Sequence, residues 1–163
     1  MKIDGRCHCG QISYEAEVDP KLVYICHCTD CQVMTGSAFR WAVPVPSEAF
    51  KLLSGRPKTY VKTAESGATS HQLFCPDCAS PLYSTTLGDG PKLFNLRVGT
   101  ARQRAELTPR NQYWCRSALA WAAAINRAIS ESYVETAMPR HVLYSDVVMM
   151  ANGAPRGQFT MHA

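Results

Sequence analysis

Seven of the eight cysteines fall within the first 78 residues, in three tight groups: Cys7-His8-Cys9, Cys26-His27-Cys28-Thr29-Asp30-Cys31 and Cys75-Pro76-Asp77-Cys78. Cys115 stands apart. Thiolates two or three positions apart on a tight turn can face one ion, at Zn–S distances of about 2.3 Å. A C-x-C pair makes a poor relaxed disulfide, because the geometry of that bond is demanding. Soft thiolates suit zinc, which adds no redox chemistry of its own. Seven ligands divide as four plus three. Two C-x-C or C-x-x-C arms close a tetrahedron, and the three sulfurs of a C-x-C-x-x-C run hold an ion with one position open. A closed zinc site is structural and an open one catalytic. Spacing alone leaves open which arms pair.

His8 and His27 sit between cysteines, where side chains point away from the ion, so both are read as non-ligands. A fourth ligand for the Cys26 run would have to be Cys115, His27, His71 or an external thiol. Cys115 is expected to be a packed core residue, as free cysteines usually are. Asp30 is read as stabilising its turn rather than moving protons.

The elements that must carry these groups read as mostly β up to residue 115. Residues 12–18 alternate with period two. A short apolar run at 22–25 leads into the Cys26 group, and 38–45 is rich in aromatic and β-branched residues until Pro44 and Pro46 stop it. Strands are also expected at 58–63, 70–74, 81–86, 92–98 and 111–115. Residues 46–50 suggest one helical turn, with Ser47 as a cap. Many short strands separated by Gly and Pro predict antiparallel sheets or a sandwich. From Ser117 to Glu135 the chain is alanine-rich, and Trp121, Ile125 and Ile129 recur at helical spacing, predicting an amphipathic helix. Pro139 ends that segment, and residues after Met150 read as a frayed tail. The division expected is a zinc domain over 1–121 and a helical extension over 122–163.

Of 163 residues, 46% are hydrophobic and 18% charged, enough for one well-cored domain and too apolar for global disorder. No apolar run approaches the roughly 20 residues of a membrane span. The polar opening Met1–Arg6 is not a signal-peptide core. A cytoplasmic protein with reduced thiols is the expectation. The formal charge of +4 suggests nucleic acid, but four thiolates around Zn²⁺ carry −2 and three carry −1, which brings +4 to about +1. Basic residues are scattered, so no nucleic-acid partner is expected.

Gly-Arg-Cys-His-Cys-Gly-Gln-Ile-Ser-Tyr-Glu at 5–15 resembles the opening of the glutathione-dependent formaldehyde-activating enzyme family, which includes centromere protein V. Cys-His-Cys-Thr-Asp-Cys-Gln at 26–32, followed by Thr-Gly-Ser-Ala-Phe at 35–39, is similar to its second motif. Phe-Cys-Pro-Asp-Cys-Ala-Ser-Pro-Leu-Tyr at 74–83 resembles its third, and Val98-Gly99-Thr100 and Trp114-Cys115-Arg116-Ser117 fit later blocks. The resemblance spans about residues 5–121. It implies a mainly β, Mss4-like fold of antiparallel sheets around a structural zinc held by Cys7, Cys9, Cys75 and Cys78. It also implies a catalytic zinc on Cys26, Cys28 and Cys31, hence two zinc ions per chain. The implied activity is that of a carbon–sulfur lyase joining formaldehyde to glutathione as S-hydroxymethylglutathione. The family usually has glycine after the second knuckle, where this chain has Ala79. It often has Pro-Trp near its end, where this chain has Ala120-Trp121.

Glutathione carries two carboxylates, so cationic forks are needed, and Arg40, Arg97 and Arg116 lie near the motifs. Gly36 and Ser37 offer backbone N–H groups to an anion. The competing reading is a non-enzymatic zinc module that binds a macromolecule. A methionine sulfoxide reductase, which would need Cys115 as its reactive thiol, ranks last, because the catalytic surroundings of such enzymes are not recognisable here.

Overall fold

The computed structural model describes residues 1–64, 67–86 and 92–123. The chain divides into two units, Met1–Leu119 and Ala120–Ala163, and the first carries all the cysteine groups. The elements in chain order are β1 (Lys2–Arg6), β2 (Ser13–Glu17), β3 (Tyr24–Cys26), α1 (Thr29–Thr35), β4 (Arg40–Pro46), β5 (Phe50–Ser54), β6 (Lys58–Thr63), β7 (Thr69–Phe74), β8 (Pro81–Thr86), β9 (Leu93–Arg97), β10 (Asn111–Tyr113) and α2 (Ala120–Ala123). They form a three-stranded sheet, β1-β2-β5, and a seven-stranded sheet, β10-β3-β4-β9-β8-β7-β6. The fold is therefore mainly β with few helices. The expectation of purely antiparallel sheets needs one correction: β10 pairs parallel to β3, which makes the large sheet mixed.

Alternation along β1 and β2 turns Ile3, Gly5, Tyr14 and Ala16 inward and leaves Lys2, Arg6, Glu15 and Glu17 exposed. Gly5 lies opposite Tyr14, and a Cβ there would come within 2.3 Å of the tyrosine ring, so only glycine fits. Partners across antiparallel strands share a face, which sorts the large sheet into two sides. On one side Val43, Val45, Leu96 and Tyr83 join Ile3, Tyr14 and Ala16 in the apolar core. Phe50 stacks with Tyr14 at 5.4 Å and contacts Tyr83 and Phe94 at 5.0 and 5.3 Å, so an aromatic cluster bridges the two sheets.

The opposite side of the large sheet is polar. Cys26 pairs with Arg40, Tyr24 with Ala42, Ala42 with Arg97, Asn95 with Ser84, and Ser84 with Gln72. Helix α1 lies against β4 on this stretch of sheet. It begins at Cys28, whose Sγ accepts the Cys31 N–H, and it ends at Gly36 with φ 60°, the left-handed cap that glycine favours.

Three local expectations are corrected. Pro44 does not stop its strand. It lies inside β4, beyond Ala42, where pairing with β3 has ended and a missing N–H costs least. The turn at Ser47–Ala49 forms, but its cap position is Pro46 and no side chain caps it. Helix α1, absent from the sequence expectations, occupies what reads as a metal loop. Of the predicted helix over 117–135, α2 covers Ala120–Ala123, and the remainder from 124, with the tail after Met150, lies outside the described residues.

Candidate metal centres

The turn between β1 and β2 and the turn between β7 and β8 bring four thiols together. In the first, Cys7 N–H donates to Ile12 O at 2.9 Å and Gly10 N–H to Cys7 O at 3.1 Å. In the second, Cys75 N–H donates to Ser80 O at 3.0 Å and Ala79 N–H to Cys75 O at 3.0 Å. Ala79 takes φ 58°, the positive angle expected from the glycine usual at that position. The two turns are joined by the His8 N–H, which donates to Ser80 Oγ at 3.0 Å. The Sγ atoms of Cys7, Cys9, Cys75 and Cys78 all lie within 4.8 Å of one another. Two approaches are 3.4 Å (Cys7–Cys9) and 3.7 Å (Cys9–Cys75). A tetrahedron of sulfurs around zinc has edges of about 3.8 Å, and all four thiols are free, so the set fits a closed site. Cys7 and Cys75 are buried, and Ile12 N–H donates to Cys7 Sγ at 3.3 Å. Cys78 is driven down to about 5, first by its hydrogen bond with Ser80. The cluster ties the end of the small sheet to the end of the large one.

The second cluster is local. Cys26 ends β3, Cys28 caps α1, and Cys31 sits in its first turn; the three Sγ atoms lie within 4.8 Å of one another. Among the described residues no fourth His, Cys, Asp or Glu joins them. Cys26 is driven down to about 5, chiefly by the hydrogen bond from Cys31, and the same contact pushes Cys31 up. One thiolate is thus already favoured in this cluster. Three soft donors with one tetrahedral position unassigned fit an ion open to a visiting ligand.

None of the chain's own candidates for a fourth ligand comes into reach. His27 is buried, but its Nε2 is 3.0 Å from Gln112 Oε1 and its ring packs edge-on to Phe39. His71 lies on β7, outside the cluster. Cys115 is exposed rather than part of the core, because the turn after β10 carries it on the surface. His8 is exposed, and Asp30 forms an ion pair with Lys62 that ties α1 to β6.

The proposed anion contacts separate sharply. Gly36 N–H donates to Val33 O and Ser37 N–H to Gln32 O, both at 3.3 Å, so these groups close the end of α1 instead of facing an anion. Arg116 is exposed and stacks 4.3 Å above the Trp114 ring. Arg40 and Arg97 are buried on the polar face of the large sheet, with Arg40 directly across from Cys26. The sequence missed Gln32, whose Nε2 donates to His27 O at 2.7 Å and to Ser117 O at 2.9 Å, joining the cysteine run to the 111–117 segment. It also missed Gln72, which accepts from Arg97. Gln32 closes the motif at 26–32, but its role, like that of Gln72, is set by tertiary contacts.

A mainly β chain with two separate thiol clusters, each able to hold an ion, is the class that this geometry defines. The chain belongs to the glutathione-dependent formaldehyde-activating enzyme family, whose description matches residues 2–117. No curated protein matches the sequence. A crystal structure of a Rhodobacter sphaeroides protein, a structural-genomics target, is similar at 16% identity, over 60% of this chain and 85% of that one, with a TM-score of 0.47. Among the described residues no helix is long and apolar enough to cross a membrane.

Proposed function

We propose that the protein is a zinc-dependent carbon–sulfur lyase of Mss4-like fold that makes or breaks the adduct between a small thiol, glutathione foremost, and an aldehyde such as formaldehyde. The observation that carries this reading is the contrast between four thiols gathered as a closed set and three gathered with no fourth donor among the described residues. In this reading Cys7, Cys9, Cys75 and Cys78 hold a structural zinc, and Cys26, Cys28 and Cys31 hold the catalytic one. A zinc ion with a free position lowers the pKa of a thiol that enters it and polarises a carbonyl oxygen.

The reaction needs nothing further from outside. The thiol loses its proton, its sulfur forms a bond to the aldehyde carbon, and the carbonyl π pair moves to oxygen, which takes up a proton. No electron is gained or lost overall. The chain's own part is to orient and to enclose. The Cys31 N–H holds Cys28 Sγ at 3.4 Å, and Gln32 fixes α1 to the backbone at His27 and Ser117. Arg40 and Arg97 set positive charge beside the cluster. Holding two small reactants in register is itself a large rate factor.

The direct test is adduct formation from glutathione and formaldehyde, followed by NMR exchange, with and without the protein. Acceleration lost in Cys28→Ser supports the reading. A protein that carries two zinc ions and accelerates nothing with any of several aldehydes contradicts it and leaves the binding-module reading.

A further inference from the structure

Against the polar face of the large sheet lies a cleft of about 120 Å³, lined in part by Met34, Thr35, Arg40, Gln72 and Arg97. Two guanidinium groups share it, and among the described residues neither has a carboxylate partner. Burying two cations together is costly, and the three-thiol cluster beside them offers a single negative charge against their two. Arg97 is satisfied by neutral acceptors: Nη2 donates to Gln72 Oε1 at 2.9 Å and Nη1 to Asn95 O at 3.0 Å. Burial first, and Arg40 second, push Arg97 down to about 9, which leaves it cationic at neutral pH.

Arg40 is different. It is only 9% exposed, its Nε has no partner, and its Nη2 reaches only the Met34 thioether sulfur at 3.6 Å, a weak acceptor. Nε and Nη2 lie along one edge of the guanidinium, the edge that grips both oxygens of a carboxylate. The register places Arg40 opposite Cys26, on the sheet face that carries the three-thiol cluster, while Phe74, Ala79 and Pro81 close the cleft from the β7–β8 side.

We infer that the Arg40–Arg97 cleft is a carboxylate subsite, with Arg40 taking the carboxylate edge-on and Arg97, pinned by Gln72, supplying the second charge. Its volume of about 120 Å³ admits a carboxylate and its stem. The site therefore selects substrates that carry a carboxylate at one end. The inference rests on the lyase reading only for which molecule brings that group, the thiol or the aldehyde.

The test has two readouts. In zinc-loaded protein with ¹⁵N-labelled arginine, sodium acetate is titrated against sodium chloride at equal ionic strength. The Arg40 Nε resonance should shift saturably with acetate alone. Separately, Arg40→Gln should raise KM for glutathione at least tenfold more than KM for 2-mercaptoethanol, with Arg40→Lys restoring part of the difference. Acetate that competes with glutathione makes the thiol the source of the carboxylate. Acetate that competes with glyoxylate, with 2-mercaptoethanol as thiol, makes it the aldehyde.

If adduct formation is catalysed but acetate leaves Arg40 Nε unmoved, or moves Arg116 instead, the subsite is wrong and the lyase reading stands. If acetate binds at Arg40 and no adduct formation is catalysed, the lyase reading is wrong and the subsite stands. The wild-type titration decides the matter even if the Arg40 variants fail to fold.

Discussion

The two cysteine clusters use the same ligand atom to opposite ends. The four-thiol set is assembled from turns 66 or more residues apart, between Cys9 and Cys75, and it stitches two sheets at their ends. The three-thiol set comes from six consecutive residues and joins only a strand to a short helix. Removing a long-range clamp releases two sheets, whereas removing a local one releases a turn. In the proposed reading the same chemistry is therefore structural in one place and available in the other, and topology rather than ligand type makes the difference.

The largest expected effect follows directly. Cys75→Ser should cost much of the binding energy of the closed site, which for structural zinc is on the order of 10 kcal/mol and feeds into folding. Far-UV circular dichroism should show loss of the β signal, with one zinc or none retained. Cys28→Ser should keep that signal while adduct formation is abolished. The reverse pattern would exchange the roles assigned to the two clusters.

A smaller effect probes the small sheet that the closed site anchors. Tyr14 is fully buried, and burial, only partly offset by its hydrogen bond with Thr100, pushes it up to about 12. In the unfolded chain a tyrosine ionises at about 10. The unfolded state therefore loses its proton first, so this contribution is intact below pH 10 and is lost as pH rises from about 10 through 12. A two-unit difference is worth on the order of 3 kcal/mol. Denaturant melts across that range should show the decline, and Tyr14→Phe should reduce it without abolishing it, because burial also pushes Tyr24 up to about 12, at a cost of about 1 kcal/mol at neutral pH for the lost hydrogen bond.

The smallest effect sits on the second knuckle. Ala79 holds a left-handed conformation at φ 58°, which costs an L-residue roughly 1–2 kcal/mol. Ala79→Gly should raise the melting temperature by a few degrees, net of the added freedom of glycine when unfolded. Unchanged or lowered stability would show that the knuckle tolerates the methyl without strain.

The cysteine groups were legible because metal spacing is a local property, and so were strands such as 58–63 and 81–86, whose bounds match β6 and β8. Strand β1 escaped notice because Gly5, the inward partner of Ile3, leaves no hydrophobic mark in an alternating pattern. Helix α1 was hidden because Cys28 and Cys31 read as ligands first, although Cys28 also caps the helix and Gly36 ends it. Arg40 and Arg116 looked equivalent along the chain. Only the β3–β4 register, which sets Arg40 across from Cys26, and the stacking of Arg116 on Trp114 separate a buried cation from a surface one. Gly36 and Ser37 looked like free donors because hydrogen bonds that close a helix are invisible until the helix is known.

The central claim is that one cluster keeps a coordination position free for a visitor. The measurement that addresses it most directly is a zinc-anomalous crystal map of the protein soaked with glutathione. The account predicts two peaks, one enclosed by Cys7, Cys9, Cys75 and Cys78, and one bonded to Cys26, Cys28, Cys31 and a sulfur that belongs to glutathione. A second peak capped by a side chain of this same chain, or no second peak at all, would contradict it.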